Sequence, residues 1–211
     1  MTTPHPPNIL FFFADDQRFD TIQALGNPEI HTPALDRLVS SGVAFTQAHI
    51  MGGSTPAVCM PSRGMLHTGR NLFSLQRAGK EIPADHALLG ETLREAGYRT
   101  FGTGKWHNGK SAYARSFSDG AEIFFGGMND HWNVPAYRFD PSGRYETALP
   151  YIPDPTASRE VSYQQCDHIT PGKHSTELFS DAAIEFLRDC DEATPFFAYL
   201  SFMAPHDPRS M

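Results

Sequence analysis

The chain opens with a continuous apolar segment and continues with apolar residues at helical spacing. Residues 8–14 form an apolar run that ends in two acids, which predicts a first β-strand covered on both faces. Residues 33–41 carry leucine and valine at helical spacing, with Thr32 as a predicted N-cap and Gly42 as the stop. Residues 43–48 follow as a predicted strand. The chain is therefore expected to begin as strand, helix and strand.

The same alternation returns further along. The pattern predicts helices over 61–68, 87–96 and 175–190, and strands over 99–103 and 196–202. Strands and helices that alternate in this way predict an α/β fold, with a mainly parallel central sheet and helices on both faces.

Residues 105–173 interrupt this pattern. They are rich in glycine, proline, aromatic and charged residues and show little helical periodicity. We interpret the segment as an insertion of loops. Long loops on a rigid sheet commonly shape a binding cleft, so this segment is expected to decide which molecule enters.

Composition limits the classes of function. The chain has 211 residues, of which 40% are hydrophobic, enough to bury the core of one globular unit. The formal net charge of −7 excludes a general nucleic-acid surface, so any anion site must be local. Three cysteines do not make a disulfide framework, and we interpret Cys166 and Cys190 as free thiols.

The first seven residues are polar and proline-rich, and the first predicted strand follows at once. Because no signal peptide is visible, the chain as written is expected to be cytoplasmic, and periplasmic or secreted if a leader was removed. No apolar run reaches about 18 residues, so no membrane span is predicted.

The most informative polar grouping stands at the start of the helix predicted over 61–68. Cys59 is followed by Pro61, Ser62 and Arg63, and the last two gain nothing from burial in a core. Cys59 is expected just before the helix N-terminus, where free N–H groups and the helix dipole favour an anion. Arg63 adds a full positive charge, so the pattern favours an anionic substrate.

This segment resembles the signature of the type I sulfatases of the alkaline phosphatase superfamily. The matching residues are Cys59-x-Pro61-Ser62-Arg63 and Leu66-x-Thr68-Gly69. In that family a formylglycine-generating enzyme converts the cysteine to formylglycine. One hydroxyl of the hydrated aldehyde attacks the sulfur of a sulfate ester, and the other expels sulfate. The resemblance implies this role for Cys59; the alternative is a buried cysteine before an ordinary helix.

Asp15 and Asp16 follow the first predicted strand directly. Two adjacent carboxylates at the carboxyl end of a strand suit Ca²⁺, with Mg²⁺ as the other hard cation. The alternative is a helix N-cap with a solvated neighbour. The resemblance implies a calcium site formed by Asp15, Asp16 and Cys59.

Lys105 and His107 lie just past a predicted strand, and extended residues two apart point to the same side. The resemblance implies that both bind the formylglycine hydrate and the sulfate oxygens, and that Arg63 holds the hydrate. The alternative is a surface lysine and a turn histidine. The family often has leucine where Asn108 stands.

His206 follows the strand predicted over 196–202 and returns to the same edge of the sheet. The resemblance implies that it contacts the sulfate, and its imidazole could protonate the departing alkoxide or phenoxide. As a lone histidine it could instead be structural. Asp130 and His131 are possible substrate contacts, with solvated loop residues as the simpler interpretation.

Together these expectations describe a sulfuric ester hydrolase acting on a sulfated small molecule or glycan. A carbohydrate is preferred because aromatic residues near 132–145 could stack on sugar rings; they are Trp132, Tyr137 and Tyr145, with Arg138 beside them. The alternatives are a phosphonate monoester or phosphodiester hydrolase and a non-catalytic truncated binder of sulfated glycans.

The resemblance covers residues 8–206 but only the N-terminal part of the family's catalytic domain. Residues 1–211 are therefore interpreted as the first portion of one catalytic domain, incomplete at the C-terminus. The family supplies its remaining calcium ligands, an Asp-His or Asp-Asn pair, and another lysine from later strands. Activity is thus expected if a longer chain supplies them.

Overall fold

The computed structural model describes residues 6–54, 58–75, 79–157 and 159–208. Its strands and helices are, in chain order, β1 (Ile9–Phe13), α1 (Pro33–Ser41), α2 (Cys59–Thr68), α3 (Leu89–Glu95), β2 (Arg99–Lys105), α4 (Lys110–Ser116), β3 (Asp119–Phe124), β4 (Ala148–Tyr151), β5 (Ser162–Gln165), α5 (Ser175–Arg188) and β6 (Phe196–Ser201).

The central sheet has four parallel strands in the order β1-β6-β2-β3. In β6, Phe197 and Tyr199 belong to one core cluster, whereas Ala198 and Leu200 belong to another, and all four are buried. Successive strand residues point to opposite faces, so both faces of β6 are covered. The predicted parallel α/β sheet is confirmed.

Helices lie on both faces, as predicted. On one face α5 buries Ala182, Ala183 and Phe186, and the Phe186 ring stacks on Phe101 of β2 at a centroid distance of 4.3 Å. On the other face the Phe117 ring, just past α4, stacks on Tyr199 of β6 at 6.1 Å. Burial of these apolar stripes against the sheet stabilises the layers.

Two expectations about the first 48 residues are wrong. Strand β1 is covered on one face only, because Leu10 and Phe12 are 43% and 58% exposed. Within the described ranges β1 also lies at the edge of the sheet. Residues 43–48 form no strand, and Val43 and Phe45 are more than four-fifths exposed. A short segment that begins with apolar residues does not make a strand where no neighbouring strand pairs with it.

The interpretation of 105–173 as loops is wrong for its first part. Helix α4 packs against the central sheet, and β3 is an edge strand of that sheet. Helix α4 has only seven residues, too few to show a clear apolar period. Strands β4 and β5 then pair as a separate antiparallel ribbon. That this segment selects the substrate stays a prediction.

Cys166 and Cys190 are free thiols, as interpreted from the sequence, and Cys59 forms no disulfide bond with either of them. Among the helices of the described residues, none has the length and apolar character needed to cross a bilayer.

Candidate functional site

The carboxyl ends of β1 and β6 meet beside the N-terminus of α2. The Asp15 N–H donates to the carbonyl of Ala204 at 3.1 Å, and the Phe202 N–H donates to the carbonyl of Phe13 at 2.9 Å. A cavity of about 990 Å³ opens there. Its wall includes nine residues that carry polar or reactive groups: Asp15, Asp16, Gln17, His49, Cys59, Ser62, Arg63, His107 and His206.

Cys59 is the first residue of α2, so the helix begins two residues earlier than predicted. Its side chain is half-buried and lines the cavity. Val58 is the N-cap and provides no side-chain cap. The first-turn N–H groups that such a cap would satisfy therefore favour an anion at this end of the cavity.

Arg63 is fully buried, and its guanidinium is held by two strands. Its Nη1 donates to the carbonyl of Lys105 at 2.7 Å, to the Tyr199 hydroxyl at 3.1 Å and to Ser201 Oγ. Its Nε and Nη2 make no hydrogen bond to any of the described residues. Residues of β2 and β6 thus fix the guanidinium of Arg63, while its Nε and Nη2 can still donate hydrogen bonds. A lysine could not do both, because it has a single ammonium group.

Asp15 carries the negative charge of this cluster. It is 5% exposed, its Oδ2 pairs with Lys105 Nζ, and its Oδ1 lies 3.5 Å from Arg63 Nη2. Lys105 is fully buried and does not line the cavity, so the structure places it on Asp15 and not on the wall where an anion ligand was expected. Two buried cations against one carboxylate leave a local excess of positive charge.

Asp16 lines the cavity with an exposed side chain and a left-handed backbone, φ 62°. Carboxylate oxygens at Asp15 and Asp16 suit calcium chemically, but Ca²⁺ takes about 6–8 oxygen ligands. Across the described ranges no group of three or more His, Cys, Asp or Glu side chains could hold a metal ion. The predicted ligands Asp15, Asp16 and Cys59 therefore do not form a complete metal site, and they can supply only some of its ligands.

His107 stands on the wall between two cavities. It lines the cavity of about 990 Å³ and, with Gly127, a neighbouring one of about 800 Å³. Its φ of 73° is left-handed, so the expected extended geometry that would align it with Lys105 is wrong. Burial first, then the charges of Lys105 and Arg63, lower the pKa of His107 to about 4. At neutral pH this imidazole offers hydrogen bonds and no charge.

His206 reaches the cavity from the loop after β6. Its Nδ1 lies 2.7 Å from the carbonyl oxygen of Asp207. Because a carbonyl only accepts, Nδ1 carries a proton there, and Nε2 is the nitrogen left to exchange one.

The structure does not place Asp130 and His131 in contact with the cavity. His131 is 3% exposed, so its interpretation as a solvated loop residue is wrong. Tyr137 and Tyr145 are each 3% exposed and packed in the core, so neither ring is available to stack on a sugar. Trp132 keeps 36% of its surface exposed.

Three residues that were not predicted from the sequence hold the site in place by hydrogen bonds. Tyr199 and Ser201 hold Arg63, and their signal was a hydroxyl at alternate positions of an otherwise apolar strand. Asn108 is fully buried, and its Nδ2 donates to the carbonyls of Met60 at 2.9 Å and Gly79. It anchors the residue next to Cys59, and nothing in the local sequence indicates this.

A sequence model of the sulfatase family matches residues 7–210. The chain belongs to the sulfatase family. It is 29% identical to human N-acetylgalactosamine-6-sulfatase over 97% of this chain and 40% of that protein. It is 31% identical to an uncharacterized sulfatase of Schizosaccharomyces pombe over 96% of this chain and 38% of that protein. The chain thus spans about two fifths of the length of these curated relatives.

Solved structures show the same fold. Ps i-CgsB superposes with a TM-score of 0.69 at 25% identity, covering 96% of this chain and 46% of that one. BT4656, in complex with its substrate D-glucosamine-2-N,6-O-disulfate, superposes with a TM-score of 0.68 at 22% identity, covering 95% of this chain and 35% of that one. The predicted fold class is thereby confirmed for a sulfatase segment shorter than these neighbours.

Proposed function

We propose that the protein hydrolyses sulfate monoesters and that its substrates are sulfated carbohydrates. The observation that carries the proposal is one cavity lined by Cys59 and Arg63 from the first turns of α2 and by His107 and His206 from the strand ends. The carbohydrate preference is supported by relatives named for amino-sugar sulfates, N-acetylgalactosamine-6-sulfatase and N-acetylglucosamine-6-O-sulfatase.

Charge around the cavity fits a sulfate ester. The first-turn N–H groups of α2 would donate hydrogen bonds to the sulfate oxygens, and the fixed guanidinium of Arg63 would offset the charge on the reacting group. Because Arg63 is anchored before substrate arrives, little reorganisation is needed during the reaction. Oxidised to formylglycine by a formylglycine-generating enzyme, position 59 would supply a hydrated aldehyde. One hydroxyl would attack sulfur as the bond from sulfur to the alcohol oxygen breaks, and the other would then expel sulfate and restore the aldehyde.

Proton transfer would fall to His206. As the sulfur–oxygen bond to the leaving group breaks, Nε2 of a protonated His206 would give its proton to the departing alkoxide oxygen. The Nδ1–H bond to the Asp207 carbonyl holds the ring in the required orientation. His107, kept neutral by its low pKa, would bind a sulfate or hydrate oxygen by a hydrogen bond.

Calcium is proposed as the cofactor, with Asp15 and Asp16 as two of its ligands. When bound, the ion would offset negative charge on the sulfate. The described residues gather no group of three or more His, Cys, Asp or Glu side chains, so the remaining ligands would be water, other oxygen groups or chain outside the described residues. The role of Lys105 as an anion ligand and the cellular location stay predictions.

The decisive experiment examines position 59 in protein made together with a formylglycine-generating enzyme. Mass spectrometry of the peptide that contains Cys59 should show the thiol replaced by an aldehyde. Cys59→Ala should lower kcat on an aryl sulfate by at least about a thousandfold, because the nucleophile is lost. Cys190→Ala is the matched control, since Cys190 is half-buried and lies outside the cavity.

Retention of wild-type activity in Cys59→Ala, with an unmodified thiol in the parent protein, would contradict the proposal. Rates on paired aryl sulfate and aryl phosphonate esters test the reaction class, because the same site could bind the oxygens of a tetrahedral sulfur or phosphorus centre. Faster turnover of the phosphonate would assign the same site to phosphonate ester hydrolysis.

A further inference from the structure

His131 lies outside the cavity yet contacts the segment that carries His206. Its side chain is 3% exposed, and its Nε2 lies 3.1 Å from the carbonyl oxygen of His206. Its Nδ1 lies 2.7 Å from Ser175 Oγ, at the first residue of α5. One buried imidazole thus joins the end of the loop after β6 to the start of a core helix.

The partners fix the tautomer of this ring. A backbone carbonyl only accepts, so Nε2–H of His131 donates to the His206 oxygen. In the neutral imidazole Nδ1 is then an acceptor, and it takes the hydroxyl proton of Ser175. The Ser175 N–H in turn donates to the carbonyl of His131 at 2.7 Å. Both the backbone and the side chain of His131 are therefore tied to α5.

The support beneath this ring is rigid. Ser175 is fully buried, and the His131 ring stacks on His174 at a centroid distance of 5.1 Å, with Trp132 edge-on against His174. At the other end the His206 N–H donates to the carbonyl of Met203, which is 2% exposed. Hydrogen bonds therefore hold the backbone of His206 at both its N–H and its C=O.

We propose that His131 is a positioning residue for His206: its Nε2–H holds the His206 carbonyl and so aims the His206 ring into the cavity. The inference rests on the proposed function, in which His206 protonates the leaving group. It assigns to His131 an indirect role through the backbone of another residue, in place of the substrate contact expected from sequence.

The test uses His131→Phe in the protein at its full encoded length, matured at position 59. Phenylalanine keeps the ring against His174 and removes both hydrogen bonds. A sugar sulfate leaves as a poor leaving group and needs the proton from His206, whereas a nitrophenyl sulfate does not. We expect kcat to fall about 10- to 100-fold on the sugar sulfate, less than about threefold on the nitrophenyl sulfate, and KM to change little.

Two variants test for rescue. His131→Gln places an amide N–H near the position of Nε2 and should restore most of kcat on the sugar sulfate. His131→Asn is shorter, reaches only the Nδ1 position and should not. Equal activities of these two variants would overturn the proposal, and this comparison decides the question if His131→Phe does not fold. Ser175→Ala keeps the bond to His206 and should lose less than His131→Phe.

A double-mutant cycle distinguishes the positioning role of His131 from the proton-donor role of His206. If His131 acts through His206, adding His131→Phe to His206→Ala should lower kcat on the sugar sulfate no further. Multiplied losses would overturn the positioning role. If His206→Ala alone leaves the difference between the two leaving groups unchanged, the proton-donor role of His206 is wrong and the positioning role falls with it.

Discussion

His67 lies in the core at 1% exposure, and neither of its ring nitrogens has a hydrogen-bond partner within the described part of the chain. The ring sits between Trp106 at 4.4 Å and Tyr199 at 4.7 Å, measured between centroids. Burial first, and then the charge of Arg63 one turn earlier on α2, lower the pKa of His67 to about 3. His67 is therefore a neutral imidazole packed among aromatic rings. An apolar side chain there would avoid the free-energy cost of burying two ring nitrogens without hydrogen bonds.

His67→Leu should make the protein less sensitive to acid. The folded-state pKa of about 3 lies below the unfolded value of 6.5, so the unfolded state binds more protons between these values. Stability is retained above pH 6.5 and lost as the pH falls toward 3. At pH 5 the loss from His67 is about 2 kcal/mol.

Urea unfolding at pH 7.5 and pH 5 checks this prediction. The leucine variant should lose about 2 kcal/mol less than the parent between the two conditions, and should be about 1–3 kcal/mol more stable at pH 7.5. An identical pH dependence in both proteins would show that His67 finds a partner or water in solution.

At the scale of elements, the approach of β2 to β6 depends on one glycine. Gly104 pairs with Ser201 in the ladder and has φ +84°. A Cβ at this position would overlap the Ser201 carbonyl. The same stretch of β2 ends in Lys105, and Ser201 Oγ holds Arg63. The close approach of two strands therefore sets the positions of both buried cations.

Gly104→Ala should destabilise the protein by at least about 3 kcal/mol or prevent folding, because left-handed strain adds to a backbone clash. Gly97→Ala is the matched control: Gly97 has φ +91°, but nothing lies within 4 Å of an added Cβ. That variant should lose only about 1–2 kcal/mol. Thermal unfolding of the two variants measures the difference, and equal losses would contradict a close contact at Gly104.

At the scale of the whole molecule, the two faces of β1 have different surroundings. Ile9, Phe11 and Phe13 pack on the core, whereas Leu10 and Phe12 point outward. Helix α1 buries none of its residues. Apolar side chains are therefore exposed on β1 and also on α1, where Leu38 is 62% exposed. Large exposed apolar patches mark sites of association.

Phe12→Ser should lower the binding of an apolar fluorescent dye and leave the melting temperature nearly unchanged. Phe11→Ser, one position away on the buried face, should destabilise the protein by about 3 kcal/mol and raise dye binding. Dye fluorescence and thermal unfolding of this pair, in the chain of 211 residues, check the prediction. Similar effects of the two substitutions would show that the faces of β1 are equally covered.

The site was predictable where a local motif carries its chemistry. Cys59, Arg63, His107 and His206 all line one cavity, because each belongs to a short motif or to the end of an apolar strand. Lys105 belongs to such a motif too, yet Asp15 takes its ammonium group. His131 looked like a solvated loop residue because its partners, Ser175 and His206, are 44 and 75 residues away.

The order of apolar runs and the local motifs were enough to predict the parallel α/β fold, the helix over 33–41 and a helix that begins near Cys59, because periodicity and caps act over a few neighbouring residues. Tertiary packing leaves 43–48 without a strand, brings β3 into the sheet and turns Lys105 toward Asp15. These outcomes depend on which distant groups share a buried space, and burial, pairing and pKa all follow from that proximity.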